Sequence, residues 1–216
     1  MLIKLLYWGM VSSGKTTAVD TLYNLTKEEE GKDMFPVSDL TKISMKSGAT
    51  LYFDRGVFQS HKLDKLKFHI YTVAGQKQFS PLRHRVFKGT EGVIYMVDSQ
   101  VQKFEDNIEA LLELKRVSKG RLIKEIPLVV MLNKQDLDDV IEKRNIRHIL
   151  KEEGLWYEPD DPLATWNPPI YETCALFDKR KNIYRSFSDL ARRTYLYKTY
   201  GEGKAPTKKP KKPIIE

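Results

Sequence analysis

Apolar positions along this chain change period several times, and each change marks an element. Leu2-Ile3-Lys4-Leu5-Leu6-Tyr7-Trp8 is a mostly apolar run, which predicts a strand. From Lys15 to about Glu28 the apolar residues Ala18, Val19, Leu22 and Leu25 return at helical spacing. Lys27 to Gly48 is polar and irregular, punctuated by Gly31, Pro36 and Gly48, and reads as loop. Thr50-Leu51-Tyr52-Phe53-Asp54 begins a strand extending toward Phe58, and Leu66 to Tyr71 alternates as the strand beside it. Residues 74–88 read as a loop with a short basic helix. Gly92–Val97 and Pro127–Leu132 are apolar throughout and predict buried strands. Between them, Phe104, Ile108, Leu111, Leu112 and Leu114 predict a helix over 104–119. A helix around 141–153, a short strand over 170–173 and an amphipathic helix over 179–200 complete the pattern. Strands alternating with helices imply a mostly parallel sheet covered on both faces.

The 216 residues suit one domain, 1–202, followed by a tail, 203–216. With 41% hydrophobic and 31% charged residues the composition is that of a soluble globular protein, and no apolar run is long enough to span a bilayer. The apolar start runs into a loop rather than a cleavage site, so no signal peptide is expected. Cys174 is the single cysteine, which excludes an internal disulfide and a multi-cysteine zinc site and fits a cytoplasmic location. Of the formal net charge of +8, the tail supplies +4, from five lysines and one glutamate. The body is therefore only mildly basic, which argues against a nucleic-acid-binding domain.

The junction of the first strand and helix, Gly9-Met10-Val11-Ser12-Ser13-Gly14-Lys15-Thr16-Thr17, fits G-x-x-x-x-G-K-[ST] in the strand–loop–helix setting that this phosphate-binding motif requires. Glycines allow a tight turn that aims N–H groups at a phosphate, and the helix N-terminus adds partial positive charge. Ser12, Ser13 and Thr17 belong to the same cradle. Lys15 is the residue to reach the β- and γ-phosphates, and the Thr16 hydroxyl the one to ligate Mg²⁺. A glycine-rich turn can simply join a strand to a helix; the full motif in this setting argues against that reading.

A second motif, Asn133-Lys134-Gln135-Asp136, directly follows the strand ending at Leu132, at the carboxyl end where open α/β sheets bind ligands. The Asp136 carboxylate can accept two hydrogen bonds from the ring N–H and exocyclic amine of guanine, which adenine does not offer. The Lys134 stem can lie along the base and Asn133 can bridge loops. Alone, N-K-x-D is a weak match; about 120 residues after a phosphate loop it is specific.

With these residues the chain resembles the Ras-like small GTPases over nearly all of residues 1–200. Thr72-Val73-Ala74-Gly75-Gln76 stands where that family carries D-x-x-G-Q. Glu172-Thr173-Cys174-Ala175-Leu176 is similar to its E-x-S-A segment, whose backbone N–H groups contact the guanine oxygen; Cys174 replaces the serine as a small buried side chain. The run Phe68 to Gln76, with threonine at the aspartate's position, resembles the T-V-P-G-Q motif of the bacterial and archaeal gliding-motility (MglA-type) subgroup, as do Thr50–Asp54 and Val97-Asp98-Ser99-Gln100.

The resemblance implies a three-layer α/β P-loop fold with a six-stranded, mostly parallel sheet whose second strand is antiparallel. It implies GTP and GDP as ligands, Mg²⁺ as cofactor, and hydrolysis of GTP by a molecular switch. In that frame Gln76 orients the attacking water, Thr50 senses Mg²⁺ and the γ-phosphate, and Gly75 is tethered by that phosphate. Thr41 competes with Thr50 for the switch role. Residues 31–54 and 74–88 are the expected switches, read by effectors and by activating or exchange proteins.

Three departures bear on rate. Thr72 replaces the aspartate that normally holds a Mg²⁺ water, with Asp54 a candidate to share its role. Ala49 stands where the subgroup often has an arginine, with Arg55, Arg83 and Arg85 elsewhere, and Val11 stands where a glycine is favoured. An arginine in place is worth roughly 10³ to 10⁵ in rate, so slow unaided hydrolysis is expected. The alternatives are a non-hydrolysing GTP-binding scaffold and an ATP-using P-loop kinase or ATPase, which would have no use for Asn133–Asp136.

Residues 155–169 lengthen the connection before the last strand; two tryptophans and four prolines predict an ordered loop packed on the body. The Lys/Pro-rich tail is expected to be disordered, and with no terminal cysteine any membrane contact would be weak and electrostatic. The four histidines have no metal-ligand spacing.

Overall fold

The computed structural model describes residues 1–28, 32–44, 50–63, 65–75 and 80–207. Gln76, Ala49 and the tail beyond residue 207 lie outside the described residues. The elements run β1 (Leu2–Trp8), α1 (Lys15–Glu28), β2 (Met34–Pro36), β3 (Thr41–Ser44), β4 (Thr50–Ser60), β5 (Lys67–Thr72), α2 (Ser80–Phe87), β6 (Gly92–Asp98), α3 (Phe104–Ser118), β7 (Leu128–Asn133), α4 (Lys143–Glu152), β8 (Ile170–Glu172) and α5 (Ile183–Tyr200).

The sheet order is β2-β4-β5-β1-β6-β7-β8, with β3 also on β4. Strands β5, β1, β6, β7 and β8 are mutually parallel, and β4 is antiparallel to β5. The fold class is the one expected, but among the described residues the sheet has eight strands rather than six. The two additions, β2 and β3, lie in the stretch that reads as loop. Both are short and pair antiparallel with the 11-residue β4, so their pairing comes from a long partner strand and not from their own pattern.

Alternate β1 residues feed two cores. Ile3, Leu5 and Tyr7 join the core that holds Ala18, Val19 and Leu22 of α1 with Phe187, Leu190 and Ala191 of α5. Leu6 and Trp8 face the other way, into the core with Val86 and Phe87 of α2, Leu111 and Leu114 of α3, and Ile146 and Leu150 of α4. Both central strands β6 and β7 are buried at every residue, as their unbroken apolar pattern requires. Lys4 fixes the far end of α2: its ammonium donates to the carbonyls of Val86 and Lys88, the latter at 2.8 Å. A cation there offsets the negative pole of the helix.

The 155–169 loop packs on the body as expected. Trp166 is buried against Tyr197 of α5, ring centroids 5.1 Å apart, and its indole N–H donates to the Pro206 carbonyl at 2.7 Å. Ala205 donates to the Lys124 carbonyl at 2.7 Å. Residues 205 and 206, part of the segment read as tail, thus lie against the body.

Candidate functional site

The motifs converge at the carboxyl ends of the parallel strands. Trp8, the last residue of β1, is anchored by its indole N–H, which donates to the Ala110 carbonyl of α3 at 2.9 Å. The chain then turns through Ser12 at φ 60° and Gly14 at φ 96°. Only glycine fits at 14: φ is positive, and a Cβ would stand 2.4 Å from Nδ2 of Asn133. Lys15 is buried and curls back inside the loop. Its Nζ donates to the carbonyls of Gly9 (3.0 Å) and Met10 (2.6 Å) and to Oγ of Ser13 (3.4 Å). A cation at the centre of the loop, next to the N-terminus of α1, makes a site for a polyanion. Thr16 is half-buried and Thr17 exposed in the first turn of that helix.

Asn133 joins the two motifs. Its Nδ2 donates to the Ser13 carbonyl at 2.9 Å, and its Oδ1 accepts from the Thr173 hydroxyl at 3.3 Å. Lys134, at φ 69°, sets its ammonium 2.6 Å from Oδ2 of Asp98. Asp98 closes β6 and is held through its backbone: its N–H donates to Oδ1 of Asn107 at 3.0 Å, and its carbonyl accepts from Nδ2 of the same residue at 2.8 Å. Sequence reasoning gave Asp98 no role in the site; its signals are its place in the run Val97–Gln100 that resembles the MglA-type subgroup and a carboxylate ending an otherwise apolar strand.

Asp136 accepts from the Cys174 thiol at 3.3 Å and has the Lys179 ammonium 3.5 Å away. Burial pushes its carboxyl pKa up, but the thiol, its own backbone N–H and Lys179 together outweigh burial and hold it below the ordinary value. Burial also pushes the Cys174 thiol up, and the Asp136 carboxylate adds to the shift, so the sulfur keeps the proton that it donates. The segment 173–176 is tied down from two sides: Thr173 donates to the Leu132 carbonyl at 2.8 Å, and the Thr21 hydroxyl of α1 donates to the Ala175 carbonyl at 2.6 Å.

These residues surround a cleft of about 240 Å³, with Ser12, Gly14 and Thr17 on one wall and Asn133, Lys134, Asp136, Ala175 and Leu176 on the other. A larger cleft, about 1010 Å³, opens on the other side of the phosphate loop between Met10, Val11, Gly75 and α3. It lacks the Asn133–Asp136 motif, so the smaller one is the candidate nucleotide site.

Gly75 lies against the phosphate loop: a Cβ on it would stand 2.3 Å from the Val11 nitrogen. Thr72 is buried at the end of β5. Thr50 is the first residue of β4, but its side chain, like that of Asp54, is outside the described residues, as is Gln76. Arg83 of α2 is turned inward, onto the Gly75 carbonyl (3.2 Å) and Glu113 of α3 (2.6 Å). Among the described residues no three His, Cys, Asp or Glu side chains are placed to hold a metal together. The Thr16 hydroxyl is a hard oxygen beside the lysine, and a cation bound by one hydroxyl plus phosphate and water oxygens suits Mg²⁺.

A phosphate loop bonded directly to an N-K-x-D strand end defines the class: a P-loop protein built for guanine nucleotides. Residues 1–193 match the ADP-ribosylation factor family, and the chain belongs to that family. It is 32% identical to the mutual gliding-motility protein MglA of Myxococcus xanthus (strain DK1622) over 157 residues, which is 70% of this chain and 77% of the relative. It is 35% identical to ADP-ribosylation factor-like protein 4D of Mus musculus over 72 residues, a third of either chain. The chain is thus a small GTPase: a GTP-binding switch that hydrolyses GTP to GDP. No helix among the described residues is long and apolar enough to cross a membrane.

Proposed function

We propose that the smaller cleft holds the nucleotide with its base against Lys134, Asp136, Cys174, Ala175 and Leu176 and its phosphates on Gly9 to Thr17. The Asn133–Ser13 hydrogen bond carries this reading, because it makes base site and phosphate site one unit. Thr16, with Thr50 from β4, would hold Mg²⁺, which neutralises charge on the β- and γ-phosphate oxygens when bound. Lys15 and the loop N–H groups take the remaining negative charge, and Gln76 positions the attacking water. The γ-phosphate tethers Thr50 and Gly75, so segments 31–54 and 74–88 signal the nucleotide to effectors.

Hydrolysis is slow without a partner. Ala49 supplies no arginine, Val11 adds bulk beside Gly75, and Arg83 is engaged by Glu113. An activating protein therefore sets the rate and an exchange protein reloads the switch. We place the protein in the cytoplasm, with the tail lysines giving at most a salt-sensitive contact with anionic lipid. Single-turnover phosphate release with saturating Mg²⁺ tests the reading: slow release, lost on chelation, supports it. No release even with cell extract would make the protein a non-hydrolysing scaffold.

A further inference from the structure

Arg83 is an uneconomical residue to bury. It is 5% exposed, its guanidinium lies 5.4 Å from the centroid of the Trp8 ring, and its Nε has no hydrogen-bond partner among the described residues. A buried ion pair is seldom more stable than apolar side chains of the same volume, and an unsatisfied N–H adds to the cost. Burial also works against the charge, pulling the guanidinium pKa down against the pull of Glu113. Core packing alone does not call for this residue. Its planar fork does one thing an apolar side chain cannot: Nη1 donates to the Gly75 carbonyl at 3.2 Å while Nη2 lies 2.6 Å from Oε2 of Glu113.

Both ends of that bridge have meaning for the switch. Gly75 is wedged under the phosphate loop, where a Cβ would stand 2.3 Å from the Val11 nitrogen and 2.5 Å from the Met10 carbonyl carbon. Glu113 stands on α3 one turn beyond Ala110, whose carbonyl accepts from the Trp8 indole. So α3 is pinned to β1 at one point and tied to Gly75 at the next. The bridge Gly75–Arg83–Glu113 therefore runs from the phosphate loop to α3.

We propose that Gly75, Arg83 and Glu113 form a latch that couples the terminal phosphate to α3, with Arg83 as its positioning residue. The latch rests on the GTP-switch reading and goes beyond it by assigning a state-dependent role to residues that touch no nucleotide. In this latch the terminal phosphate draws the Gly75 backbone toward itself and tightens the bridge in the triphosphate state. Because a ligand shifts a conformational equilibrium only through its differential affinity for the two states, weakening the latch lowers triphosphate affinity and leaves diphosphate affinity nearly unchanged.

The test is equilibrium binding of fluorescent GDP and of a fluorescent non-hydrolysable GTP analogue, with Mg²⁺, to the full chain and to Arg83→Leu, Arg83→Lys, Glu113→Gln and Arg83→Leu/Glu113→Leu. Arg83→Lys keeps the charge and the pair with Glu113 but loses the fork, which guards against a variant that fails to fold. The expected result is a roughly tenfold loss of affinity for the GTP analogue in both Arg83 variants, the scale of a hydrogen bond to a charged group. GDP affinity stays within about twofold, Glu113→Gln falls between, and the double variant is no worse than Arg83→Leu, since coupled residues do not add. Loss of both affinities in step marks a purely structural residue and overturns the latch, as does an unchanged ratio in every variant. Failure of the unmutated protein to bind guanine nucleotide would instead overturn the reading beneath it.

Discussion

Asn133 donates a hydrogen bond to the carbonyl of Ser13 at 2.9 Å, across 120 residues of chain. That contact makes the phosphate loop and the Asn133–Asp136 motif mechanically one object. Both residues are buried, and the amide oxygen of Asn133 is used as well, by Thr173. Asn133→Ala therefore strands two buried partners at once, at about 1–3 kcal/mol each. GTP and GDP affinity should fall together, by roughly tenfold or more, with a lower melting midpoint. Titration calorimetry with both nucleotides checks this; a change confined to one of them would show that Asn133 is not the joint.

Lys15 tests the phosphate half. Its ammonium holds the loop from inside, so Lys15→Ala should abolish nucleotide binding while the rest of the fold persists. Thr16→Asn should mainly lose the Mg²⁺-supported triphosphate state and keep GDP. Tight GTP binding by Lys15→Ala would count decisively against the loop assignment.

Much of this was legible beforehand because the informative residues are close in sequence or strictly periodic. Gly9 to Thr16 and Asn133 to Asp136 are contiguous motifs, and β1, β6 and β7 announce themselves as apolar runs. What escaped is what depends on distant partners. Thr41–Ser44 becomes a strand only because β4 is there to receive it. Arg83 and Glu113 are 30 positions apart on two helices, and no local pattern pairs them. Cys174 reads as a small buried residue; that its thiol serves Asp136 needs the 3.3 Å distance.

The acid limb follows from Asp136. Its folded-state pKa lies below the ordinary 3.8, so it contributes stability at pH values above that figure, and the contribution is lost as pH falls through the lower folded value. Cys174→Ala and Lys179→Ala each remove a group that favours the carboxylate, so GDP affinity should fail at a higher pH in both. GDP binding followed from neutral pH downward measures this. A limb that moves to lower pH in Cys174→Ala would mean the thiol does not support the charge.

The chain's end separates two truncations. Removing 208–216 should leave melting midpoint and nucleotide affinity unchanged. Removing 203–216 also takes away Ala205 and Pro206, uncovering Trp166 and stranding its indole N–H. That should cost about 1–3 kcal/mol and red-shift the tryptophan emission, with affinity still unchanged. Equal melting midpoints for the two truncations would show that residues 203–207 contribute nothing to the fold.

With Gln76 in its proposed role, acting on water and not on nucleotide, Gln76→Leu should slow single-turnover phosphate release without loosening GTP. Equal rates would remove Gln76 from the mechanism.

The central claim is that Asp136, held ionised at the end of β7, selects guanine. Competition binding of GTP, ATP and XTP to the unmutated protein and to Asp136→Asn tests it most directly. The unmutated protein should prefer GTP to ATP by on the order of 10⁴-fold, since a site built to hydrogen-bond one edge rejects a base that leaves it unpaired. Asp136→Asn should weaken GTP and gain XTP, because the amide offers a donor where the carboxylate offered only acceptors. ATP competing as well as GTP for the unmutated protein would contradict the account.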